Sequence, residues 1–323
     1  MKKYVVTVVM SLMVLCLNSQ ISFAKGKEKE ADLSYQYKET RIELPKETVE
    51  VISMEVLKDG KVMIATTTRE NENCIIWKQS DAKEWNKVMD VNEVLQERGM
   101  VYSERNNITI SESGEIIISV FENANVNWMS FNEKGNIIEE KMIVVSSLLE
   151  GLTAKHMVVD ENIVLLQGLS GGLYLYHADS EKLFFLNEEK EFNVAIYLQE
   201  KNLYALTTRG LRIINLETME ETECSTWGTQ IEKRMQENYL GIVKMEVLKE
   251  NGEEMLCLAQ KNGIMKLEGT EKIELLDGKK TNFADTNDVL RHVDYYKQDI
   301  FVVVQNEENE TSIAELYQYS YQK

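Results

Sequence analysis

The chain has 323 residues, of which 43% are hydrophobic, and its 54 acidic and 36 basic side chains give a formal charge of −18. This apolar content is enough for the core of one large domain or two ordinary ones, and it excludes a wholly disordered chain. The negative charge argues against nucleic acid and anionic membrane surfaces as partners, because phosphate binding requires clustered Lys and Arg.

The first segment, Met1–Ala24, has the pattern of an export signal. Two lysines precede the uncharged apolar run Tyr4–Leu17, and a small-x-small motif ends the segment. The run is shorter than the ~20 residues that span a bilayer, so we predict a signal peptide over residues 1–24 rather than a membrane anchor. Cys16 leaves lipid attachment open, although bulky residues precede it. The mature chain is predicted to be exported, extracellular or associated with the cell envelope, without a transmembrane segment.

A flexible charged leader is predicted over residues 25–32, followed by one β domain over residues 33–323. The alternating pattern of Tyr35–Leu44 predicts a first strand, which ends before Pro45, where no ladder hydrogen bond is lost.

A hairpin motif follows and recurs along the chain. The pentapeptide at Met54–Lys58 occurs again at Met245–Lys249, each time followed by a polar turn with glycine and a second apolar run. Glycine supplies the positive φ that such a turn requires. Similar turns lie at Ser113-Gly114, Glu161-Asn162, Lys201-Asn202 and Gln298-Asp299. The turns are spaced by about 48 residues, which is the period of a propeller blade.

Each unit continues with a third strand, a polar turn and a fourth strand, as in Gly171–Tyr176 followed by Lys182–Leu186. Four short strands with period-2 patterning form an antiparallel blade. The outermost strands are expected to be more polar, as the glutamates between residues 217 and 223 are in the fourth unit.

Six such units account for the chain from about residue 49 onwards, but the last unit has only three strands. We predict that Tyr35–Leu44 supplies the missing strand, pairing with Ser312–Tyr321, because this closure removes the exposed sheet edges of an open array. The predicted fold is therefore all-β, a six-bladed β-propeller whose N-terminal strand closes the last blade. Seven blades or two smaller β domains are the alternatives.

Two stretches between units, Asn92–Gly99 and Thr229–Tyr239, contain helix-forming residues at helical spacing. We predict that both form short helical loops on one face of the propeller.

The repeats resemble those of the exported bacterial β-propellers of the WD40-like superfamily. The segment Gly171–Tyr176 (Gly-Gly-Leu-Tyr-Leu-Tyr) is similar to repeats in sensor ectodomains of the regulator-propeller type. The segments Tyr37–Pro45 and Met54–Gly60 are similar to propeller segments attached to solute-binding proteins of ABC importers in Gram-positive bacteria. Either resemblance implies a stand-alone propeller and leaves its partner open. The Gly-His and Trp-Asp signatures of true WD40 repeats do not occur in the sequence, and neither does the sialidase box.

Cysteine and histidine are too scattered to predict a metal or nucleophile site. After the signal segment they are Cys74, Cys224, Cys257, His156, His177 and His292. The odd number of cysteines and their apolar neighbours favour buried small side chains, with one disulfide and a free thiol as the alternative. The histidines fall in different units or on different faces, so we predict no metal and no cofactor.

Carboxylates are candidate catalytic groups. Asp285, Asp288 and Asp294 near the last inner strand could act as acid and base in a central funnel, as in propeller glycosidases. In a chain with 54 acidic residues, however, acids near any chosen point carry little information.

Ligands of propellers usually meet the rim formed by the loops that link blades and by the loops between second and third strands. Aromatic faces beside a few polar groups suit sugars or peptides. The candidate binding residues at this rim are Tyr102, Arg105, Trp227, Phe283, Arg291 and His292. Trp227 and Phe283 could instead cover the core between blades.

The predicted function is a secreted, non-catalytic recognition or scaffold protein that binds a protein, peptide or glycan partner at the cell surface, as a monomer or within a surface complex. One alternative is an accessory or sensor component of a solute-uptake or signalling complex. The other is a glycan-active propeller enzyme, which requires two acids about 5–10 Å apart in a pocket.

Overall fold

The computed structural model describes residues 30–68, 73–103, 106–145, 153–160, 162–168, 173–187, 195–199, 201–207, 210–223, 242–250, 253–260, 263–268, 271–277, 288–306 and 313–322. The predicted signal peptide lies outside these residues and stays a prediction. Within the described ranges, no helix has both the length and the apolar composition to cross a bilayer.

The strands form six separate sheets. Sheet 1 comprises β3 (Thr48–Val56), β4 (Val62–Thr68), β5 (Cys74–Gln79) and β6 (Trp85–Asp90). Sheet 2 comprises β7 (Asn107–Ile110), β8 (Ile116–Glu122), β9 (Asn125–Phe131) and β10 (Ile137–Val144). Sheet 3 comprises β11 (Thr153–Asp160), β12 (Ile163–Gly168), β13 (Leu173–His177) and β14 (Lys182–Asn187).

The other three sheets follow in chain order. Sheet 4 comprises β15 (Ala195–Gln199), β16 (Asn202–Thr207), β17 (Gly210–Asn215) and β18 (Glu220–Glu223). Sheet 5 comprises β19 (Ile242–Glu250), β20 (Glu253–Gln260), β21 (Gly263–Glu268), β22 (Glu271–Asp277) and β1 (Glu30–Asp32). Sheet 6 comprises β23 (Asp288–Tyr296), β24 (Asp299–Asn306), β25 (Ile313–Tyr321) and β2 (Tyr37–Ile42).

The sheets follow one another around a closed ring. Among the first strands, β3 contacts β7, β7 contacts β11, β15 contacts β19, and β19 contacts β23. Sheets 3 and 4 meet through β14 and β16, and β23 returns to contact β3. A ring of antiparallel sheets joined in this way is a β-propeller, so the all-β propeller prediction is confirmed. No seventh sheet occurs among the described residues.

The N-terminal strand completes the last sheet, as predicted. The antiparallel ladder between β2 and β25 runs from Tyr37 opposite Tyr321 to Ile42 opposite Leu316. Just before it, Ser34–Gln36 form a 3-10 helix, so the strand begins two residues later than predicted. The last three residues of the predicted flexible leader form β1 instead, which pairs in parallel with β22. The N-terminal segment therefore pairs with the outer strands of both sheets 5 and 6.

The predicted hairpin turns at Gly60 and Gly114 also form. Gly60 has φ +85°, and a Cβ there would lie 2.8 Å from Cε1 of Tyr296 in sheet 6. Only glycine combines this left-handed backbone with so close an approach. The first hairpin of sheet 1 thus packs against the first hairpin of sheet 6.

One of the two predicted helices lies within the described residues. Helix α1 (Val91–Gln96) starts at the N-cap Asp90, whose side chain accepts from the backbone N–H groups of Asn92 and Glu93. Its buried residues Val91 and Leu95 pack into the core between sheets 1 and 2. The second predicted helix, Thr229–Tyr239, falls outside the described residues.

The core consists of apolar layers between neighbouring sheets. Ile76 of sheet 1 and Met129 of sheet 2 belong to one layer, and Ile64 of sheet 1 and Leu316 of sheet 6 to another. Burying such a side chain contributes about 1.5–3 kcal/mol. The prediction that cysteines are buried is confirmed for Cys74 and Cys257, which are free thiols in the core, while Cys224 lies outside the described residues.

Candidate functional site

The polar side chains of the last inner strand close the ring. Nε2 of His292 donates to the carbonyl of Val51, 2.8 Å away, and a carboxylate oxygen of Asp294 accepts from the backbone N–H of Val56. Nε2 of Gln305 in β24 donates to the carbonyl of Val49, 3.2 Å away. Three side chains of sheet 6 therefore hold the backbone of β3.

This closure accounts for His292 and Asp294, which the sequence put forward as functional residues. Asp294 is 3% exposed, and its carboxylate is engaged with β3. Asp288 is the first residue of β23, and Asp285 lies outside the described residues.

The predicted rim residues do not form one described cluster. Tyr102 is half-buried and packs against the core between sheets 1 and 2. His292 lies in the ring closure. Arg105, Trp227 and Phe283 fall outside the described residues, so the predicted rim stays a prediction.

Arg291 occupies a β-bulge, because the pairing of β23 with β24 shifts between Leu290 and His292. The first strands of sheets 1 and 5 shift at corresponding places, which hold Ile52 and Val243. A bulge re-aims the side chain that it carries. Arg291 is exposed there, so the sixth sheet presents a cation where the other two have aliphatic residues.

The other two histidines lie in separate surroundings. His156 is 5% exposed between sheets 2 and 3, with Nε2 3.0 Å from Oγ of Ser119, and burial lowers its pKa from 6.5 to about 4. Nδ1 of His177 accepts from the backbone N–H of Ser180 in an outer turn. In the described part of the chain, no group of His, Cys, Asp and Glu is arranged to hold a metal ion.

The outer strand of sheet 2 carries exposed apolar side chains. In β10, Met142 is 60% and Val144 is 61% exposed, whereas Ile143 between them is 3% exposed. Ile143 packs toward sheet 3. Met142 and Val144 pair with Asn127 and Asn125 on β9.

The register shows which way the exposed side chains of β10 face. Asn125, Asn127 and Met129 are every second residue of β9, and Met129 belongs to the core layer between sheets 1 and 2. Because alternate residues of a strand share a face, Met142 and Val144 lie on the face of sheet 2 that is turned to sheet 1. We call the space between the outer strands of these two sheets cleft 1–2.

Sheet 3 repeats this arrangement. Leu183 and Phe185 of β14 are 45% and 43% exposed and pair with Tyr176 and Tyr174. Both tyrosines pack toward sheet 2, so the exposed side chains border cleft 2–3, the corresponding space between the outer strands of sheets 2 and 3.

The chain itself fills the equivalent space between sheets 6 and 1, cleft 6–1. Trp85 of the outer strand β6 packs there with Ile42 and Leu44 from the N-terminal segment. Its indole Nε1 donates to the carbonyl of Glu43, 2.7 Å away. In cleft 6–1 an extended segment of the chain thus covers the apolar face of the outer strand. In cleft 1–2 the equivalent face is exposed.

Three features define the surroundings of cleft 1–2. The Arg98 guanidinium, just after α1, forms an ion pair with Glu140 of β10. Val101, in the connection between sheets 1 and 2, is 77% exposed. Among the described strands, β9 alone pairs with β10, so β10 is an open sheet edge.

Sequence reasoning missed this surface, because it expected polar outer strands. That expectation holds for β18, with its glutamates, and is wrong for β10 and β14. The signal was present as Ile137-Ile138 and Met142-Ile143-Val144 on a strand that the repeat places at the edge.

No family model matches the chain, and no curated protein matches it. Similar solved structures include virginiamycin B lyase from Staphylococcus aureus, with 12% identity, a TM-score of 0.45, and coverage of 88% of this chain and 99% of that one. The extracellular domain of a hybrid two-component system from B. thetaiotaomicron has 15% identity, a TM-score of 0.46, and coverage of 88% and 42%. BamB from Moraxella catarrhalis has 11% identity, a TM-score of 0.39, and coverage of 84% and 83%. These similarities are too low to transfer an activity or a ligand.

Proposed function

We propose that this chain is an exported, six-bladed β-propeller that acts as a non-catalytic recognition module and binds an extended segment of a partner protein in cleft 1–2. The observation that carries the proposal is the exposure of Met142 and Val144 on a face whose counterpart in cleft 6–1 is covered by the chain itself. Clustered exposed apolar side chains on soluble proteins often mark a site of interaction with another molecule.

Cleft 6–1 provides the template for the bound state. There the segment Ile42–Pro45 lies against the outer strand of sheet 1 and contributes two aliphatic side chains and one carbonyl acceptor. A partner segment of the same kind would cover Met142 and Val144 and could pair with the open edge of β10.

The charge of the chain defines the partner further. At −18, this protein attracts basic polypeptides and repels acidic ones. We therefore expect an extended partner segment with apolar residues at alternate positions and basic residues between them. Burial of an exposed Val or Met side chain contributes about 1.5–3 kcal/mol, against about 0.5–1.5 kcal/mol for each side chain that the segment must order. For the two side chains the net gain is only a few kcal/mol, so we expect binding that is much weaker than nanomolar.

Site-specific crosslinking in the producing cells tests this proposal. A photoreactive amino acid at position 142 or 144 should give one adduct with a protein outside the propeller, whereas the same probe at the exposed outer-strand residue Thr222 of sheet 4 should not. The affinity of the purified partner segment should fall at least tenfold with Met142→Asp or Val144→Asp and stay unchanged with Thr222→Asp. Equal affinity for all three variants would refute the assignment of cleft 1–2.

A further inference from the structure

The outer strand β14 carries two consecutive phenylalanines on opposite faces of sheet 3. Phe184 pairs with Leu175, and Phe185 pairs with Tyr174. Phe184 packs against the core layer between sheets 3 and 4, whereas Phe185 borders cleft 2–3 and is 43% exposed. The same residue type at adjacent positions therefore allows a comparison of a covered ring with an exposed one.

A cation of the chain covers the ring of Phe184. The guanidinium Cζ of Arg212, in β17 of sheet 4, lies 5.7 Å from the centroid of this ring. Arg212 also forms an ion pair with Glu221 of β18, which holds the guanidinium in place. The quadrupole of an aromatic ring attracts a cation that lies over its face. Between sheets 3 and 4, the fold itself thus places an arginine on this strand.

A tryptophan in the core layer between sheets 2 and 3 is covered in a similar way. Nζ of Lys141 in β10 lies 5.7 Å from the ring centroid of Trp128, and Lys141 forms an ion pair with Glu139 at 2.9 Å. The ring of Phe185 meets that of Tyr174 at a centroid distance of 5.2 Å, with the planes at 50°. Phe185 remains 43% exposed in this arrangement and is accessible to a partner.

A partner segment that pairs with the edge of β10 reaches cleft 2–3 as well as cleft 1–2. Residues opposite each other on neighbouring strands share a face of the sheet, and successive residues alternate between faces. The partner residues opposite Met142 and Val144 therefore face cleft 1–2, whereas the residue between them, opposite Ile143, faces cleft 2–3. Ile143 belongs to the core layer against which Tyr174, the cross-strand neighbour of Phe185, also packs.

We propose that the partner residue opposite Ile143 is an arginine whose guanidinium stacks on Phe185, so that the partner carries the sequence aliphatic-Arg-aliphatic. This inference rests on the proposed function and specifies its partner. The charge of −18 favours any basic residue, but arginine has a planar, weakly hydrated guanidinium that stacks on aromatic faces, which lysine lacks. A second basic residue opposite Lys141 is disfavoured, because like charges directly opposite each other repel.

Nuclear magnetic resonance of the mature chain with isotope-labelled methionine methyl groups tests the two steps separately. The probes are Ac-Gly-Thr-Val-Arg-Val-Thr-Gly-NH2 and the same peptide with Lys or Gln in place of the central Arg. The methyl signal of Met142, assigned with Met142→Ala, should shift with all three peptides, because their valines contact cleft 1–2. At low salt the arginine peptide should bind about two- to fivefold more tightly than the glutamine peptide, with the lysine peptide between them, as expected of one exposed cation–π contact.

Matched variants locate the arginine. Phe185→Leu should remove the preference for the arginine peptide, whereas Phe185→Tyr keeps the ring and should keep the preference. Phe184→Leu, on the opposite face of the same strand, should leave the preference unchanged. Melting curves must show that each variant is folded.

Two kinds of result would contradict different claims. If the Met142 signal shifts but the three peptides bind equally, or if the arginine preference persists in folded Phe185→Leu, the inference is overturned and cleft 1–2 is retained. If no peptide shifts the Met142 signal, cleft 1–2 itself is contradicted, and the placement of the arginine is overturned with it.

Discussion

Clefts 6–1 and 1–2 occupy equivalent positions in the repeat, but the apolar side chains of the first are covered and those of the second are exposed. In cleft 6–1 the chain's own segment lies on Trp85, adds two aliphatic side chains and accepts the indole hydrogen bond. In cleft 1–2 the face of β10 is left with Met142 and Val144 largely exposed. The outer strands of both clefts thus carry an apolar face, which the chain itself covers in cleft 6–1 and leaves exposed in cleft 1–2.

The seam between sheets 6 and 1 also differs from the seam between sheets 2 and 3 in how its inner part is held. Sheets 6 and 1 are joined by side chains that bond to the backbone of β3, whereas the described residues between sheets 2 and 3 show apolar packing and the His156–Ser119 hydrogen bond. Because the ring closes between sheets that are far apart in sequence, its closing seam needs directional contacts that fix the register.

Removal of the covering segment should have the largest effect. A mature chain that begins at Lys46 lacks β2 and exposes both Trp85 and the edge of β25, so we expect loss of cooperative unfolding and aggregation. A chain that begins at Leu33 lacks only β1 and should keep a cooperative melt with a modestly lower midpoint. Circular dichroism melts and light scattering of the two proteins measure the difference. A stable, monomeric chain that begins at Lys46 would show that the segment covering Trp85 is not needed for folding.

The pH dependence of the seam between sheets 2 and 3 should be the next largest effect. The unfolded chain takes up a proton on His156 near pH 6.5 and the folded chain only near pH 4. Between these values the unfolded state binds more protons, so the contribution of His156 to stability falls by about 3 kcal/mol as the pH falls through this window, and it changes no further below pH 4. Urea midpoints of the wild type and His156→Gln from pH 7 to pH 4 should diverge accordingly, and parallel curves would remove His156 as the cause.

Loss of a directional contact at the closing seam should be somewhat smaller. Asp294→Ala leaves the buried N–H of Val56 without its acceptor, which costs about 1–3 kcal/mol, whereas Asp294→Asn retains an acceptor oxygen and should cost less. Chemical denaturation of both variants provides the measurement. Equal losses would show that the charge of the carboxylate, rather than the hydrogen bond, holds the seam.

The last prediction compares the two clefts directly and includes the smallest effect, that of Met142→Ala. Trp85→Ala removes partly buried packing and the bond to Glu43, and we expect a loss of about 1–3 kcal/mol in the free energy of unfolding. Met142→Ala removes an exposed side chain and should change that free energy by less than about 0.5 kcal/mol. A Met142→Ala loss as large as that of Trp85→Ala would show that cleft 1–2 is already filled by the chain itself.

Much of the fold was predictable because its rules are local. Period-2 patterning and glycine turns identified the hairpins, and a three-stranded last unit implied the closing strand, which pairs as β2 with β25. The candidate site was less predictable. Arg105, Trp227 and Phe283, which were predicted to lie at the rim, fall outside the described residues. The expectation of polar outer strands was wrong for β10 and β14.

By itself, the sequence determined the strand pattern, the order of the sheets and the need for closure, because hydrophobic alternation and turn chemistry act between residues close in the chain. Only the tertiary structure decided that Trp85 is covered and Met142 is bare, and that His292 and Asp294 hold β3. Exposure depends on what lies opposite a side chain, and in a closed ring that neighbour can come from the other end of the chain.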